Sequence, residues 1–221
     1  GKEGRIKARL VAQDLKIRSR LSPAQVYAGV PEFSILRILV ATQIVGRHRY
    51  SSTDFDTAYL QAHKSPIPHL VRFFDYLTFK LVYAYLYSAL YGKQDSAKRW
   101  KDTLKGGLVE MGFEEIHNVA SVYRHVKRDI ILIVHVDDPL VRTVREEDET
   151  WFYEELRARF KIKEVTRLTP ETPLDYLSSS GEMDEEGRVH LTNRQRIEEF
   201  IAENGKKGET GGWQGPTQEH M

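Results

Sequence analysis

Asp137 and Asp138 stand side by side where the apolar run Ile130 to Val136, IILIVHV, comes to an end, and Asp54 lies far upstream in STDFDTAY. Carboxylates gathered at one point suit a hard divalent cation. Mg²⁺ binds through one or two carboxylates plus substrate phosphates, which makes an aspartate cluster a seat for phosphoryl or nucleotidyl transfer. Without a cation, two ionised carboxylates about 4 Å apart repel by roughly 4 kcal/mol at an effective dielectric of 20. Asp54 and Asp137 would supply such a pair, with Asp138 flanking it. A plainer reading stands beside this one: Asp137-Asp138-Pro139 is also ordinary turn chemistry.

Other chemistries find less support. The eight histidines include no His-x-x-x-His or similar spacing, and the absence of cysteine removes disulfides and thiolate metal sites. No Gly-rich phosphate loop of the strand-to-helix type and no Gly-x-Ser-x-Gly elbow occurs. The 221 residues, 40% hydrophobic and 29% charged, suit a globular chain with one substantial domain or two lobes. No apolar run approaches membrane-spanning length, so an intracellular setting without membrane insertion is the expectation. Net charge is +1, yet Gly1 to Arg20 holds seven Lys/Arg against Glu3 and Asp14, while Arg145 to Glu186 holds thirteen acids against six bases. That asymmetry points weakly to a polyanion near the basic arm, and equally fits solvated faces of opposite sign.

The elements that must carry the aspartates follow from periodicity. Ile130 to Val136 is β-branched and too short for a buried helix, so it reads as a buried strand with carboxylates at its tip, paired with Ser121 to Val126 across Lys127-Arg128-Asp129. Asp54 and Asp56 project from one side if Tyr50 to Asp56 is a strand. Ser34 to Val45 carries Ile35, Ile38, Leu39, Thr42 and Val45 at helical spacing, with Ser34 as N-cap and Gly46 as stop. Ser96 to Gly112 aligns Trp100, Leu104, Leu108 and Met111, although Gly106 and Gly107 each weaken the helix by roughly 1 kcal/mol. Glu147 to Phe160 reads as an amphipathic helix led by acids, which suit a helix N-terminus. Strands around Pro173 to Leu177 and Arg188 to Leu191 lead to a last helix. There Thr192 and Gln195 have capping-box spacing, Ile197, Phe200 and Ile201 form a buried stripe, and Gly205 is the stop. Arg5 to Val11 alternates as a half-buried strand, Pro66 and Pro68 break the chain, and Lys206 to Met221 reads as a loose tail.

Five segments in order change the weighing. KARLVA at Lys7 to Ala12, DFDTAYLQA at Asp54 to Ala62, ALYGKQDSAKRW at Ala89 to Trp100, VHVDD at Val134 to Asp138 and FKIKE at Phe160 to Glu164 together resemble the reverse transcriptase of copia-type LTR retrotransposons. That family shows KARLVA, D-x-x-T-A-[FY]-L, LYGLKQAPRAW, YVDD and F-x-M-K-D in this sequence. The resemblance runs from about Gly1 to Gly205.

The resemblance implies an α+β polymerase palm, a small antiparallel sheet backed by helices, with partial fingers and only the start of a thumb. Residues 1–45 would be fingers-like, 46–191 palm, 192–205 the start of the thumb and 206–221 a flexible tail. Asp54, Asp137 and Asp138 would be catalytic and hold two Mg²⁺ ions, with Mn²⁺ able to substitute. Tyr59 matches the aromatic that gates the ribose 2′-hydroxyl, though a core tyrosine is its plainer role. Lys7 and Arg9 would meet the incoming triphosphate or the phosphate backbone, Gln94 or Lys93 would lie near template and nucleotide, and Trp100 would pack in the palm. The partners implied are an RNA or DNA template-primer and deoxynucleotide triphosphates, and the location cytoplasmic, in particles, or nuclear.

The chain also departs from the family pattern. His135 stands for the tyrosine before Val-Asp-Asp, and Pro139, which cannot donate a ladder hydrogen bond, follows the pair and is expected to distort the second strand. An ungapped match puts Asp95 where the family has glutamine, so Gln94 fits only with a shift of one. The tract HKSPIPHLVRFFDYLTFK is unlike the family's, and most of a thumb and a ribonuclease H domain are missing. Gly1-Lys2 without methionine fits a fragment of a longer polyprotein. The competing expectation is therefore a decayed or truncated retroelement remnant that at most binds nucleic acid.

Overall fold

A computed structural model describes residues 11–12, 21–65, 68–177 and 179–204. Two helices come first, α1 (Pro23–Val26) and α2 (Phe33–Ala41), followed by β1 (Arg49–Ser52) and the short α3 (Ala58–Gln61). A hairpin of β2 (His69–Asp75) and β3 (Lys80–Leu86) precedes α4 (Ser96–Glu110). The strands β4 (Phe113–Glu115), β5 (Val122–His125), β6 (Ile130–His135) and β7 (Asp138–Thr143) run on to α5 (Glu146–Arg159). Then come β8 (Thr166–Arg167), β9 (Leu174–Tyr176), β10 (Ser179–Met183), β11 (Val189–Thr192) and α6 (Arg194–Asn204). The architecture is mixed α and β with antiparallel sheets: six strands in the order β4-β5-β6-β7-β1-β8, three in the order β11-β10-β9, and the separate β2-β3 pair.

The apolar run over β6 has a simple cause, because helices and a second sheet cover both faces of the six-stranded sheet. Ile130, Leu132 and Val134 join Trp100, Leu104, Leu108, Phe152 and Leu156 in one core, while Ile133 joins Leu36, Leu39, Tyr50 and Leu140 in the other. A strand buried on both faces loses the usual polar alternation. The three-stranded sheet closes the second core: the Tyr176 hydroxyl donates to the Ile133 carbonyl at 3.2 Å, and Leu174 and Val189 are buried beside it. Gln43 completes the seam by donating to the Val189 carbonyl (3.0 Å) and accepting from its N–H (2.9 Å), in place of a ladder partner.

The stripe predicted on α4 is buried as expected, Trp100, Leu104, Leu108 and Met111 all facing the core. The two glycines of that helix differ in kind. A Cβ on Gly107 would stand 2.7 Å from the Phe160 ring, whereas one on Gly106 would meet nothing within 4 Å. Gly106→Ala is therefore expected to stabilise the protein by up to about 1 kcal/mol through helix propensity, and Gly107→Ala to destabilise it by about 1–2 kcal/mol through overpacking. Urea denaturation of the two variants checks this, and equal shifts in both would refute the close approach.

Several expectations are corrected. The α2 helix begins at Phe33 and ends at Ala41, with Glu32 at the cap; the Ser34 hydroxyl donates to the Glu32 carboxylate (3.2 Å). Thr42 turns its hydroxyl back onto the Ile38 carbonyl at 2.8 Å, and Ile38 itself is exposed. The β1 strand stops at Ser52 instead of reaching Asp56. The pair expected around 173–177 and 188–191 has β10 between its members. Ile197, Phe200 and Ile201 on α6 are more than half exposed, since spacing marks an apolar face whether or not a partner is present. The Asn193 carbonyl accepts from the Ile197 N–H at 3.0 Å in the first turn of α6, while the Gln195 side chain of the expected capping pair lies outside the described ones. Arg5 to Leu10, Gly205 and the 206–221 tail lie outside the described residues.

Candidate active site

Three of the segments singled out in the sequence meet at one end of the six-stranded sheet. The β6 and β7 strands are joined by Val136 and Asp137 alone, with Val136 at φ +58°. So short a connection between right-twisted strands calls for a left-handed residue, which is costly for a β-branched side chain. The Trp100 indole N–H donates to the Val136 carbonyl at 2.7 Å and holds the turn. The indole is itself fixed edge-on against Phe55 (centroids 5.0 Å) and Phe160 (5.7 Å).

Asp54 is carried alongside that turn. Beyond the Ser52–Leu140 pair, the Phe55 N–H donates to the Asp137 carbonyl at 2.9 Å. On the other side, the Lys163 N–H donates to the Asp54 carbonyl (2.9 Å), and the Asp56 N–H to the Lys161 carbonyl (3.0 Å). Phe55 turns into the core between the two acids, so this stretch lies clamped between the Val-Asp-Asp turn and Lys161–Glu164. Pro139 does not break β7. It pairs with Val134, and the β1 partnership ends one residue short of it at Leu140, so its missing N–H costs no bond to β1.

The side chains form a linked set. Asp138 shares a hydrogen bond with Asp54, and the Lys163 ammonium also bonds the Asp54 carboxylate. Burial, then the Asp54 hydrogen bond, then the charges of Asp137 and Asp54 push the Asp138 carboxyl up to about 7. Lys163 is held above its ordinary value, chiefly by its bond to Asp54. An open cleft of about 580 Å³ lies beside Asp54, Lys163, Thr166 and Asp175. Tyr59 is half-buried with its ring centroid 4.5 Å from that of Tyr91, and burial, Tyr91 and Asp137 raise its phenol. Gln94 is half-buried on the turn that also carries Tyr91, and Lys93 is buried with its ammonium 3.2 Å from Asp95. Lys7 and Arg9 lie outside the described residues.

Among the described residues, no group of three or more His, Asp or Glu is arranged to hold a metal ion. What is present is a pair, Asp54 and Asp138, with Asp137 adjacent. Two hard-oxygen donors, one of them a carboxyl pushed up by burial and acidic neighbours, fit the minimal carboxylate share of a Mg²⁺ shell completed by substrate phosphate.

Residues 1–174 match the family model described as reverse transcriptase (RNA-dependent DNA polymerase). The chain belongs to that reverse transcriptase family. A telomerase from Candida albicans, solved in complex with a TWJ fragment of telomeric RNA, is similar at TM-score 0.43 and 10% identity, over 80% of this chain and 36% of that one. No curated protein matches the chain.

Two residues of the candidate site are not marked by the sequence. Lys163 falls in FKIKE, where nothing local ties its ammonium to Asp54. Trp100 packs as expected, and its N–H also holds the Val136 turn. Both contacts join segments far apart in the chain, which local patterns do not report.

Proposed function

We propose that the chain is the polymerase part of a copia-type retrotransposon reverse transcriptase, adding deoxynucleotides to a primer on an RNA or DNA template. Residues 46–191 would be its palm, with fingers before it and the start of a thumb from 192. The hydrogen-bonded Asp54–Asp138 pair, set at a hairpin tip and joined by Lys163, is the observation that carries this reading.

In the proposed reaction the primer 3′-oxygen attacks the α-phosphorus of the nucleotide and pyrophosphate leaves. Mg²⁺ held by Asp54 and Asp138, with Asp137 beside them, would lower the pKa of the 3′-hydroxyl and steady the leaving pyrophosphate. Until then Lys163 neutralises Asp54, and it has to give up that carboxylate. The Trp100 and Phe55 N–H bonds keep the Asp137–Asp138 backbone in register with Asp54. Tyr59, braced by Tyr91 and close enough to Asp137 to feel its charge, is the proposed gate against a ribose 2′-hydroxyl.

Primer extension on an RNA template with Mg²⁺ or Mn²⁺, beside an Asp54→Asn protein matched by circular dichroism, tests this. Metal-dependent extension that the substitution removes is the expected result. A folded chain that binds primer-template without extending it would instead be a remnant that has kept the fold alone.

A further inference from the structure

Among the described residues the β2-β3 hairpin pairs with no third strand, and its two strands are in register from His69–Leu86 to Asp75–Lys80. Cross-strand partners share a face. One face carries Leu70 opposite Tyr85, Arg72 opposite Tyr83 and Phe74 opposite Leu81, all exposed, while Val71, Val82 and Ala84 on the other face are half-buried. Leu70 (63%), Tyr83 (60%) and Tyr85 (68%) open to solvent, and so do Tyr76 (78%), Leu77 (93%) and Phe79 (77%) around the tip. At about 150–250 Å² for a side chain of this size, these six alone present about 900 Å² of mostly apolar surface.

That area decides between readings. The largest apolar patch on an ordinary monomer is about 300–600 Å², and a stable dimer buries about 800 Å² per partner. A lone two-stranded hairpin is also marginal in water and needs a covering layer. We propose that this arm is a self-association surface, on which a second copy of the chain lays the same face of its own hairpin. A two-fold contact of this kind is self-complementary, each hairpin giving the other the layer it lacks. The composition fits, since tyrosine, phenylalanine and arginine are the residues enriched in protein interfaces. Arg72 lies opposite Tyr83 and diagonal to Tyr85 on the same face, so a two-fold contact offers its guanidinium aromatic faces to meet. A polyanion is the poorer occupant, because among the described residues Arg72 is the one cation on this face and phosphate binding rests on several.

Sedimentation equilibrium of the full chain over a concentration series tests the proposal, with Leu70→Lys/Tyr85→Glu as the interface variant. The two new charges are opposite in sign and sit on one cross-strand pair, so the hairpin itself keeps its support. A wild-type dimer that becomes a monomer in this variant, with circular dichroism unchanged, is the expected outcome. A wild-type chain that stays monomeric at every concentration overturns it. So does a dimer that survives the double variant and is broken by Phe200→Glu on α6. A monomer whose oligonucleotide affinity falls with Leu70→Lys/Tyr85→Glu would assign the arm to nucleic acid and overturn self-association as well.

Discussion

Asp138→Asn is expected to abolish primer extension and, in the metal-free protein at neutral pH, to raise thermal stability. The two effects share one origin. Asp138 is half-buried beside Asp54 and Asp137, and its carboxyl is pushed from an ordinary 3.8 up to about 7, first by burial and then by those neighbours. A carboxyl raised in the folded state favours folding while it holds its proton. Its contribution is fully present below pH 3.8 and is lost as pH rises through about 7. At pH 8 the wild-type protein therefore keeps an ionised group where the fold prefers a neutral one. Asparagine retains a donor for Asp54 without the charge. Each pKa unit is worth about 1.4 kcal/mol, and solvent screening of a half-buried group reduces the total to about 1–2 kcal/mol. For a chain of this size that is a rise of about 3–6 °C in Tm. The check is Tm against pH from 4 to 8 for both proteins: wild type should fall as pH rises and the variant should stay nearly flat. Identical slopes would mean that Asp138 is not the group under strain. Added Mg²⁺ should raise the Tm of wild type and leave the variant less changed, since a ligand of the folded state stabilises it by mass action.

How far the sequence carried this site depends on the range of the signals involved. Strand β6, the α4 stripe and α5 were legible because each is a local period, apolar in a run or at helical spacing. The hydrogen-bonded meeting of Asp54 and Asp138 was not legible from period alone; what pointed to it was the order of five short segments. The corrected elements share a different cause. The apolar stripe on α6 has the right spacing and no cover, and β1 stops at Ser52 because Phe55 turns inward to Trp100 and Phe160. The β2-β3 hairpin lies largely in the tract that breaks at its prolines and departs from the family pattern, where no strand is expected, although His69 to Asp75 and Lys80 to Leu86 are rich in strand-forming residues. Long-range pairing decided the rest.

The acids at the start of α5 show the same limit and give the second large effect. They suit a helix N-terminus as expected, yet Asp148 and Glu149 are also buried, and each takes two arginines. Asp148 accepts from Arg128 (2.6 Å) and Arg145 (2.9 Å), and Arg128 also lies over the Trp151 ring at 4.2 Å. Glu149 accepts from Arg49 (3.2 Å) on β1 and Arg167 (2.9 Å) on β8, tying the helix to the far end of the strand that leads to Asp54. Removing one member of a buried pair costs about 3–5 kcal/mol, but Arg128 and Arg145 are partly exposed and can turn to water, so Asp148→Ala should cost about 2–3 kcal/mol. A urea midpoint lowered without a change in slope would show it, and a shift under 1 kcal/mol would refute the burial argument. The pH signature is opposite to that of Asp138. Burial alone would raise the Asp148 carboxyl, but the hydrogen bonds from Arg128 and Arg145 outweigh it and hold the group below its ordinary 3.8. Its contribution is present above that value and is lost as pH falls through the lower folded one. The variant should therefore lose stability at neutral pH and show a flatter acid limb. Asp138 penalises the rise toward neutral pH and Asp148 the descent into acid, so these two carboxyls together move the stability maximum of the metal-free chain to the acid side of neutral. A cation at Asp54 and Asp138 would remove the first penalty and leave the second, shifting that maximum back toward neutral pH.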